Sequence, residues 1–533
     1  MRPTSRSYLL YALLILLAAV TGYYLTQSIR PKDMEQYPDL KNSANLFPSP
    51  LPKNKPLTRS ALLLPKQAAS DEPPPFSIKD ERIARFKNEH DYQNFLNRLH
   101  ELELALLAKS DRLLAVRFQS GNGFPPGEIE DAELYYNYLV TIPAPADVLA
   151  QPGAVGFGRN ALTWLGIEVD NSTWGKGVTV AVLDSGVNDH IALNTGNGKV
   201  TYVSLTELAS GSKQLGHGTA VASIISGDHV LTPGIAPASD ILSIRVTDAN
   251  GSSDSFTLAQ GILAAVDGGA DIINISMGSY VDSSVVYQAV QYAQQKGVVI
   301  VASPGNAGLE TVAYPAAYKG VIAVGAIEAS GEHLNFSNTG ESLDIAAPGY
   351  QINAAWEEEQ LTSFSGTSAS APFISGAIAA TISANPYLTA QQAADLVLDL
   401  TNDAGYPGRN SEYGIGILAM DRVIEYGSPG IHDAAITSQV LVMPDQSTEL
   451  PQVLVTVQNQ GTETLINSPI SITSPGGTQT VNISSLAPGQ IQSFPVPIRL
   501  PENGTPVSVS SSVQIMETDQ EPDNNSRTNS FQQ

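Results

Sequence analysis

Between about Val178 and Leu400 the sequence alternates short Val/Ile-rich runs with segments of helical spacing, and this constrains the fold more than any other feature. The runs are Val178–Leu183, Ile241–Val246, Ile272–Met277, Val298–Ala302 and Val321–Ile327, each bounded by Gly, Asp or Asn. Between them, His217–Ser226, Thr257–Asp267 and Ser283–Gln295 carry apolar residues at helical spacing. Strands that are apolar on both faces and separated by helices predict a mostly parallel, doubly wound α/β sheet covered on both sides. In such sheets the working residues lie outside the carboxyl ends of the strands.

Three segments bring chemistry to those edges. Leu183-Asp184-Ser185-Gly186 ends the first strand with a carboxylate, and Gly216-His217-Gly218-Thr219 opens an apolar helix with an imidazole. Ser365-Gly366-Thr367-Ser368-Ala369-Ser370-Ala371-Pro372 puts a serine at the start of a helix running to about Ala384. A serine hydroxyl is a poor nucleophile until a base takes its proton, and that base needs a carboxylate to fix its tautomer. Singly, each segment reads as a turn, a loop histidine or a helix cap. All three together, on one sheet, point to nucleophilic catalysis.

In Asp–His–Ser order these segments resemble the subtilisin family of serine endopeptidases over roughly Ala161 to Glu425, with Val187, His190, Gly234-Ile235-Ala236-Pro237 and Tyr413-Gly414-Ile415-Gly416-Ile417-Leu418 also similar. The resemblance implies that Asp184 orients, His217 is the general base, Ser368 is the nucleophile and Asn306 supplies an oxyanion donor. It also implies that Ser276, Met277 and Gly278 pair with a substrate strand and that Ser303, Pro304 and Gly305 line the pocket for the residue before the cut. Pro304 replaces the family's more usual alanine and removes a backbone N–H from that wall. The related sedolisins use carboxylates as the base, which Gly216-His217-Gly218-Thr219 argues against. No cofactor is required for the chemistry. Family members often bind calcium, so a structural calcium ion is compatible with the resemblance. Its ligands are not identified, because Asp248–Asp254 reads as a turn without the bidentate glutamate of a helix–loop–helix site, and no metal residue is assigned.

The flanks suggest a longer plan. Arg2 and Arg6 precede an apolar stretch from Tyr8 to Leu25, followed by Arg30 and Lys32, so residues 1–30 read as a signal peptide or an N-terminal membrane anchor. Either predicts a chain exported beyond the cytoplasmic membrane, secreted or held at the surface. Residues 31–75 read as a Pro-rich linker. Residues 76–145 read as a β-α-β-β unit: a strand at Arg82–Phe86, a helix at Asp91–Glu103, strands at Leu104–Ala108 and Leu113–Phe118, then a Gly/Pro-rich break from Gly121 to Gly127. This unit occupies the place of a subtilisin propeptide, with maturation expected between Ser120 and Asn160. The peptidase domain is expected over 155–428. Residues 434–533 read as an all-β sandwich, with runs at Gln452–Gln458, Ile470–Thr473, Thr478–Ile483, Ile491–Val496 and Val507–Ile515, resembling the CARDB sandwiches of bacterial surface proteins.

Charge and composition narrow the partners. The 533 residues carry a formal charge of −24 and no cysteine. A nucleic-acid binder needs a basic face, and thiolate metal sites, disulfides and a cysteine nucleophile are excluded outright. Expected partners are protein or peptide substrates, the chain's own propeptide, and the membrane if the N-terminal segment is retained. The rival reading is an idle protease fold serving adhesion through the sandwich. It is opposed by the presence of Asp184, His217, Asn306 and Ser368 together.

Overall fold

The computed structural model describes residues 73–119, 129, 132–143, 151–194, 198–208, 212–444, 450–501 and 504–532. The expected signal or anchor, most of the linker and the Gly121–Gly127 break lie outside the described residues. Among the described residues no helix is long and apolar enough to cross a membrane.

The central sheet has seven strands, all parallel, in the spatial order Ile345–Pro348, Val321–Ile327, Val299–Ala302, Ile272–Ile275, Thr179–Asp184, Asp240–Arg245 and Val200–Ser204. The five interior strands are those the Val/Ile runs predict. The two edge strands escaped the reading. Val200–Ser204 is half-exposed and interrupted by Thr201 and Ser204, and Ile345–Pro348 ends in proline, so neither has the long apolar run of a strand buried on both faces.

One side of the sheet is covered by the helices Ser255–Asp267 and Ser284–Gln295, packed on Ile273, Ile275 and Ile300. The other is covered by His217–Ser226 and Thr367–Ala384, packed on Val180, Val182 and Val301. The last of these is buried almost all round, as a helix with no polar face must be.

Ahead of this domain, strands Ser77–Phe86, Ala105–Ser110 and Ala115–Gln119 and the helix Glu89–Arg98 form a small α+β unit with its own core of Phe86, Tyr92, Phe95 and Phe118. The helix is shorter than expected. It ends at Arg98 because His100–Glu103 turn, with Glu103 at φ +52°. A further strand, Ala132–Thr141, completes the sheet; its half-buried, tyrosine-rich sequence has no clean alternation to betray it. The sheet's outer neighbour on that side is Ser252–Asp254, part of the central domain itself.

The C-terminal region is a sandwich of two antiparallel sheets. One holds Ala434–Val442, Gln452–Asn459 and Ile491–Pro497, and the other Gly477–Leu486, Leu465–Ser474, Val507–Val513 and Ser526–Phe531. Val453, Val455 and Val457 alternate inward against Ile470, Ile472 and Val509, the period-two pattern of a sheet buried on one face. The sandwich is held to the central domain by buried polar contacts. The Gln458 amide accepts from Asp403 N–H at 2.9 Å and donates to the Thr401 carbonyl at 3.0 Å.

Two carboxyls at this junction are buried. Burial pushes Asp403 up to about 6, against hydrogen bonds from Gly408 N–H and Thr437. Burial likewise pushes Asp433 up to about 7, against a hydrogen bond from Asn524, with Asp519, Asp421 and Glu521 adding repulsion. A carboxyl raised in the folded state contributes its stability below the unfolded value and loses it as pH rises through the folded one. Unfolding free energy should therefore fall between about pH 4 and 7. For Asp433 a rise of that size corresponds to about 4 kcal/mol at most, at 1.36 kcal/mol per unit. Asp433→Asn keeps an acceptor for Asn524 and cannot ionise. Thermal melts should find it more stable than the wild type at pH 8 and level with it at pH 4. Parallel pH profiles for the two proteins would refute this account.

Candidate active site

Asp184 is the last residue of the strand Thr179–Asp184 and is fully buried. The next turn needs Gly186, at φ +88°, to swing the chain back over the sheet edge. Ser185 N–H donates to Asp184 Oδ1 at 2.7 Å, and the Ser185 hydroxyl donates to the Leu215 carbonyl at 2.8 Å while accepting from Gly218 N–H at 3.1 Å. Ser185 thereby ties the Asp184 turn to the start of the next helix, a role no sequence signal announced.

His217 is the first residue of that helix. Its flanking glycines are steric necessities. A Cβ at position 216 would lie 2.5 Å from the Trp356 ring, and one at 218 would lie 2.4 Å from the Gly186 carbonyl. The helix can thus approach the Asp184 turn until His217 Nδ1 lies 2.8 and 2.9 Å from the two carboxylate oxygens. Nδ1–H donating to the carboxylate leaves Nε2 as the acceptor. Phe364 packs edge-on against the imidazole, with ring centroids 5.1 Å apart.

Four residues after Phe364, Ser368 is the second residue of the helix Thr367–Ala384. Gly366 precedes it at φ +131°, with Asn306 Nδ2 only 2.6 Å from where a Cβ would stand. Pro372 lies inside the helix and cannot donate to the Ser368 carbonyl four residues back. The Ser276 hydroxyl donates to that carbonyl instead, at 3.4 Å. In turn the Ser368 hydroxyl donates to the Ser276 carbonyl at 3.2 Å. Ser276 is itself positioned by Asn274, whose amide is held by Ser375.

Asn306 joins the same cluster. Its Oδ1 accepts from Thr367 N–H at 2.9 Å and the Thr367 hydroxyl at 2.8 Å, which fixes the amide's orientation with Nδ2 over Gly366. The loop carrying it is braced by Asn338, fully buried. Its Oδ1 accepts from Ala307 and Leu309 N–H, both at 3.0 Å, and its Nδ2 donates to the Pro304 carbonyl and the Tyr280 hydroxyl, both at 2.9 Å. Gly305, at φ +111°, leaves room for both Asn338 and Tyr280.

The residues expected to meet substrate divide into two groups. Ser303, Gly305 and Gly278 line a cavity of about 330 Å³ with Asn306, Tyr280 and Ala313. Met277 instead buries its side chain in the core, Ser276 serves the Ser368 helix, and Pro304 contributes its carbonyl to Ala313 N–H and Asn338. The cleft is not bare. Thr141 and Gly278 exchange both backbone hydrogen bonds at 3.1 Å, and Ile142 N–H donates to the Gly251 carbonyl at 3.0 Å. On its other side Thr141 is opposite Ser252.

Among the described residues no three His, Asp or Glu side chains gather as a metal site. Asp248 Oδ1 accepts from Asn250 and Ser252 N–H, both at 2.9 Å, so its turn is closed by its own backbone.

The profile of the Subtilase family, Peptidase S8, matches residues 175–416. A thermostable alkaline protease of Halalkalibacterium halodurans is 35% identical over 254 residues, covering 47% of this chain and 69% of that protein. Subtilisin Savinase of Lederbergia lenta is 34% identical over 246 residues, 46% of this chain and 89% of that protein. The minor extracellular protease Epr of Bacillus subtilis is 34% identical over 247 residues, 46% of this chain but 38% of its own length. Among solved structures, fervidolysin from Fervidobacterium pennivorans, a keratinolytic enzyme related to subtilisin, superposes with a TM-score of 0.57 at 18% identity over 86% of this chain and 76% of its own; at that identity the likeness concerns the fold.

Proposed function

Because this chain belongs to the subtilase family, we propose that it is an exported serine endopeptidase, made as a precursor and hydrolysing peptide bonds through an acyl-enzyme. The observation that carries this reading is the bond from His217 Nδ1 to Asp184 at 2.8 Å, in a domain that also sets Ser368 at the N-terminus of the helix Thr367–Ala384.

Ser368 Oγ attacks the substrate carbonyl carbon as His217 Nε2 takes its proton. Asp184 holds the imidazole in the tautomer that can accept and stabilises the imidazolium. The tetrahedral oxyanion is met by the Asn306 amide and by Ser368 N–H at the helix start. His217 returns the proton to the leaving amine as the C–N bond breaks, and water releases the acyl group by the same steps in reverse. No cofactor takes part; a structural calcium ion remains compatible with the family, with no ligands assigned.

Residues 76–145 act in this reading as the propeptide. The contacts of Thr141 and Ile142 in the cleft support it, as does the strand Ala132–Thr141 running from that unit to the cleft. So does a buried contact at the helix Ser255–Asp267, where Asn137 Oδ1 accepts from Ser255 Oγ at 2.9 Å and Phe256 N–H at 3.2 Å. Export rests on the apolar Tyr8–Leu25 stretch between basic residues. The peptidase occupies 155–428 and the sandwich 434–533.

The test is digestion of a denatured protein together with self-trimming of the precursor, both lost in Ser368→Ala. Asn306→Ala probes the oxyanion site separately. It should lower kcat by about 10²- to 10³-fold, or about 2.7–4 kcal/mol of barrier, the loss seen for the equivalent donor of subtilisin, with KM little changed. A change under fivefold in steady-state assays would remove Asn306 from the mechanism.

A further inference from the structure

The strand in the cleft has a register, and the register names a residue. Thr141 and Gly278 form a hydrogen-bonded antiparallel pair, exchanging both N–H···O bonds. In such a ladder the hydrogen-bonded pairs recur every second residue, so the next is Pro143 opposite Ser276. A residue with an N–H at 143 would donate to the Ser276 carbonyl. Proline has none. That carbonyl is taken instead by the Ser368 hydroxyl, at 3.2 Å. Pro143 also lines the cavity shared by Ser303, Gly305 and Asn306, which puts it at the oxyanion end of the cleft.

We propose that Thr141-Ile142-Pro143 is the chain's own occupant of the substrate strand, and that the bond on the carboxyl side of Pro143 is the one offered to Ser368. The missing N–H of Pro143 makes it a slow bond, so the propeptide lingers as an inhibitor. This deepens the protease reading and rests on it.

The physical reason is alignment. A residue whose N–H reached the Ser276 carbonyl would be anchored just before the cut, which would hold the scissile carbonyl in line with Ser368 and Asn306. Pro143 cannot make that bond. The strand is well bound, through the backbone of Thr141 and Ile142 and the whole preceding unit, yet poorly aligned at the reacting bond. Cleavage, when it comes, is ordinary: Ser368 Oγ bonds to the Pro143 carbonyl carbon, the C–N bond to residue 144 breaks, and the serine proton passes through His217 to the new amine. Water then frees the Pro143 carboxylate.

The full-length precursor, wild type and Pro143→Ala, is followed by intact mass and N-terminal sequencing, with Ser368→Ala as the blank. The new N-terminus beginning at residue 144 should appear at least tenfold faster in Pro143→Ala. A peptide spanning residues 136–147 is then given to mature enzyme. It should compete with a chromogenic peptide while staying intact, whereas its Pro143→Ala twin is cut after residue 143 at least ten times faster. The peptide arm is independent of how the precursor variant folds. Equal rates in both arms, or trimming at another bond with residue 143 untouched, overturn this inference while general proteolysis stands. Absence of hydrolysis of any substrate by the wild type overturns the protease reading and this one with it.

Discussion

Ser368→Ala lowers kcat on a peptide substrate by roughly 10⁶-fold, the scale of nucleophile loss in subtilisin, and leaves the precursor untrimmed. The residue touches three things that the substitution separates. Its hydroxyl is the attacking group of the proposed mechanism and donates in this structure to the Ser276 carbonyl at 3.2 Å. Its backbone N–H and the neighbouring Asn306 amide remain in place, since Asn306 is held through Thr367 rather than Ser368. Its carbonyl keeps the hydrogen bond from the Ser276 hydroxyl. In the proposed mechanism the variant therefore keeps the oxyanion donors and the cleft and loses only the attacking atom. KM should stay within a few-fold. Removing the hydroxyl also leaves the Ser276 carbonyl without its 3.2 Å donor, a loss of about 1 kcal/mol, so the melting temperature should move by only a few degrees. Steady-state kinetics and a thermal melt on the same preparation decide it. A folded variant that keeps more than a hundredth of wild-type kcat would deny Ser368 the role of nucleophile.

The parts of this site that were legible in the sequence share a physical property: each needed a rare local conformation or a tight approach, and that left glycines. Gly186, Gly216, Gly218 and Gly366 mark where backbone meets backbone, a ring or an amide. The interior strands were legible because burial on both faces demands an unbroken apolar run. What could not be read are groups whose value comes from distant partners. Ser185 and Asn338 are ordinary polar residues until Leu215, Gly218, Pro304 and Tyr280 arrive beside them. The family resemblance assigns Met277 to the cleft with Ser276 and Gly278, and the structure adds that its side chain lies in the core. The strand Ala132–Thr141 lacked a clean alternation, since its consecutive residues from Ala132 to Tyr136 are half-buried on both faces of the sheet.

Asp184→Asn should cost about 10⁴-fold in kcat, the size of effect that follows from a wrongly set histidine tautomer, while the protein folds and binds substrate. The local hydrogen bonds dictate which way the new amide turns. Ser185 N–H donates to Oδ1 at 2.7 Å, and only an oxygen can accept there. An asparagine at 184 therefore keeps its carbonyl oxygen on Ser185 and directs its NH₂ from the Oδ2 position at His217 Nδ1, now 2.9 Å away. Nδ1 is as near to Oδ1, at 2.8 Å, so in place of two acceptors it meets one acceptor and one donor, and the tautomer with the ring proton on Nε2 becomes available. Nε2 then presents a hydrogen to Ser368 where a lone pair is needed, and the base is disabled without any atom moving far. The negative charge that would have stabilised the imidazolium is also gone, in a site where Asp184 is wholly shielded from water. Because the Ser185 and Gly218 contacts survive, the cleft keeps its shape and KM changes little. The readouts are kcat and KM by steady-state kinetics, and the ring-nitrogen NMR shifts of His217, which report the tautomer directly. A proton still on Nδ1, or a loss below a hundredfold, would show that Asp184 does not set the imidazole for catalysis.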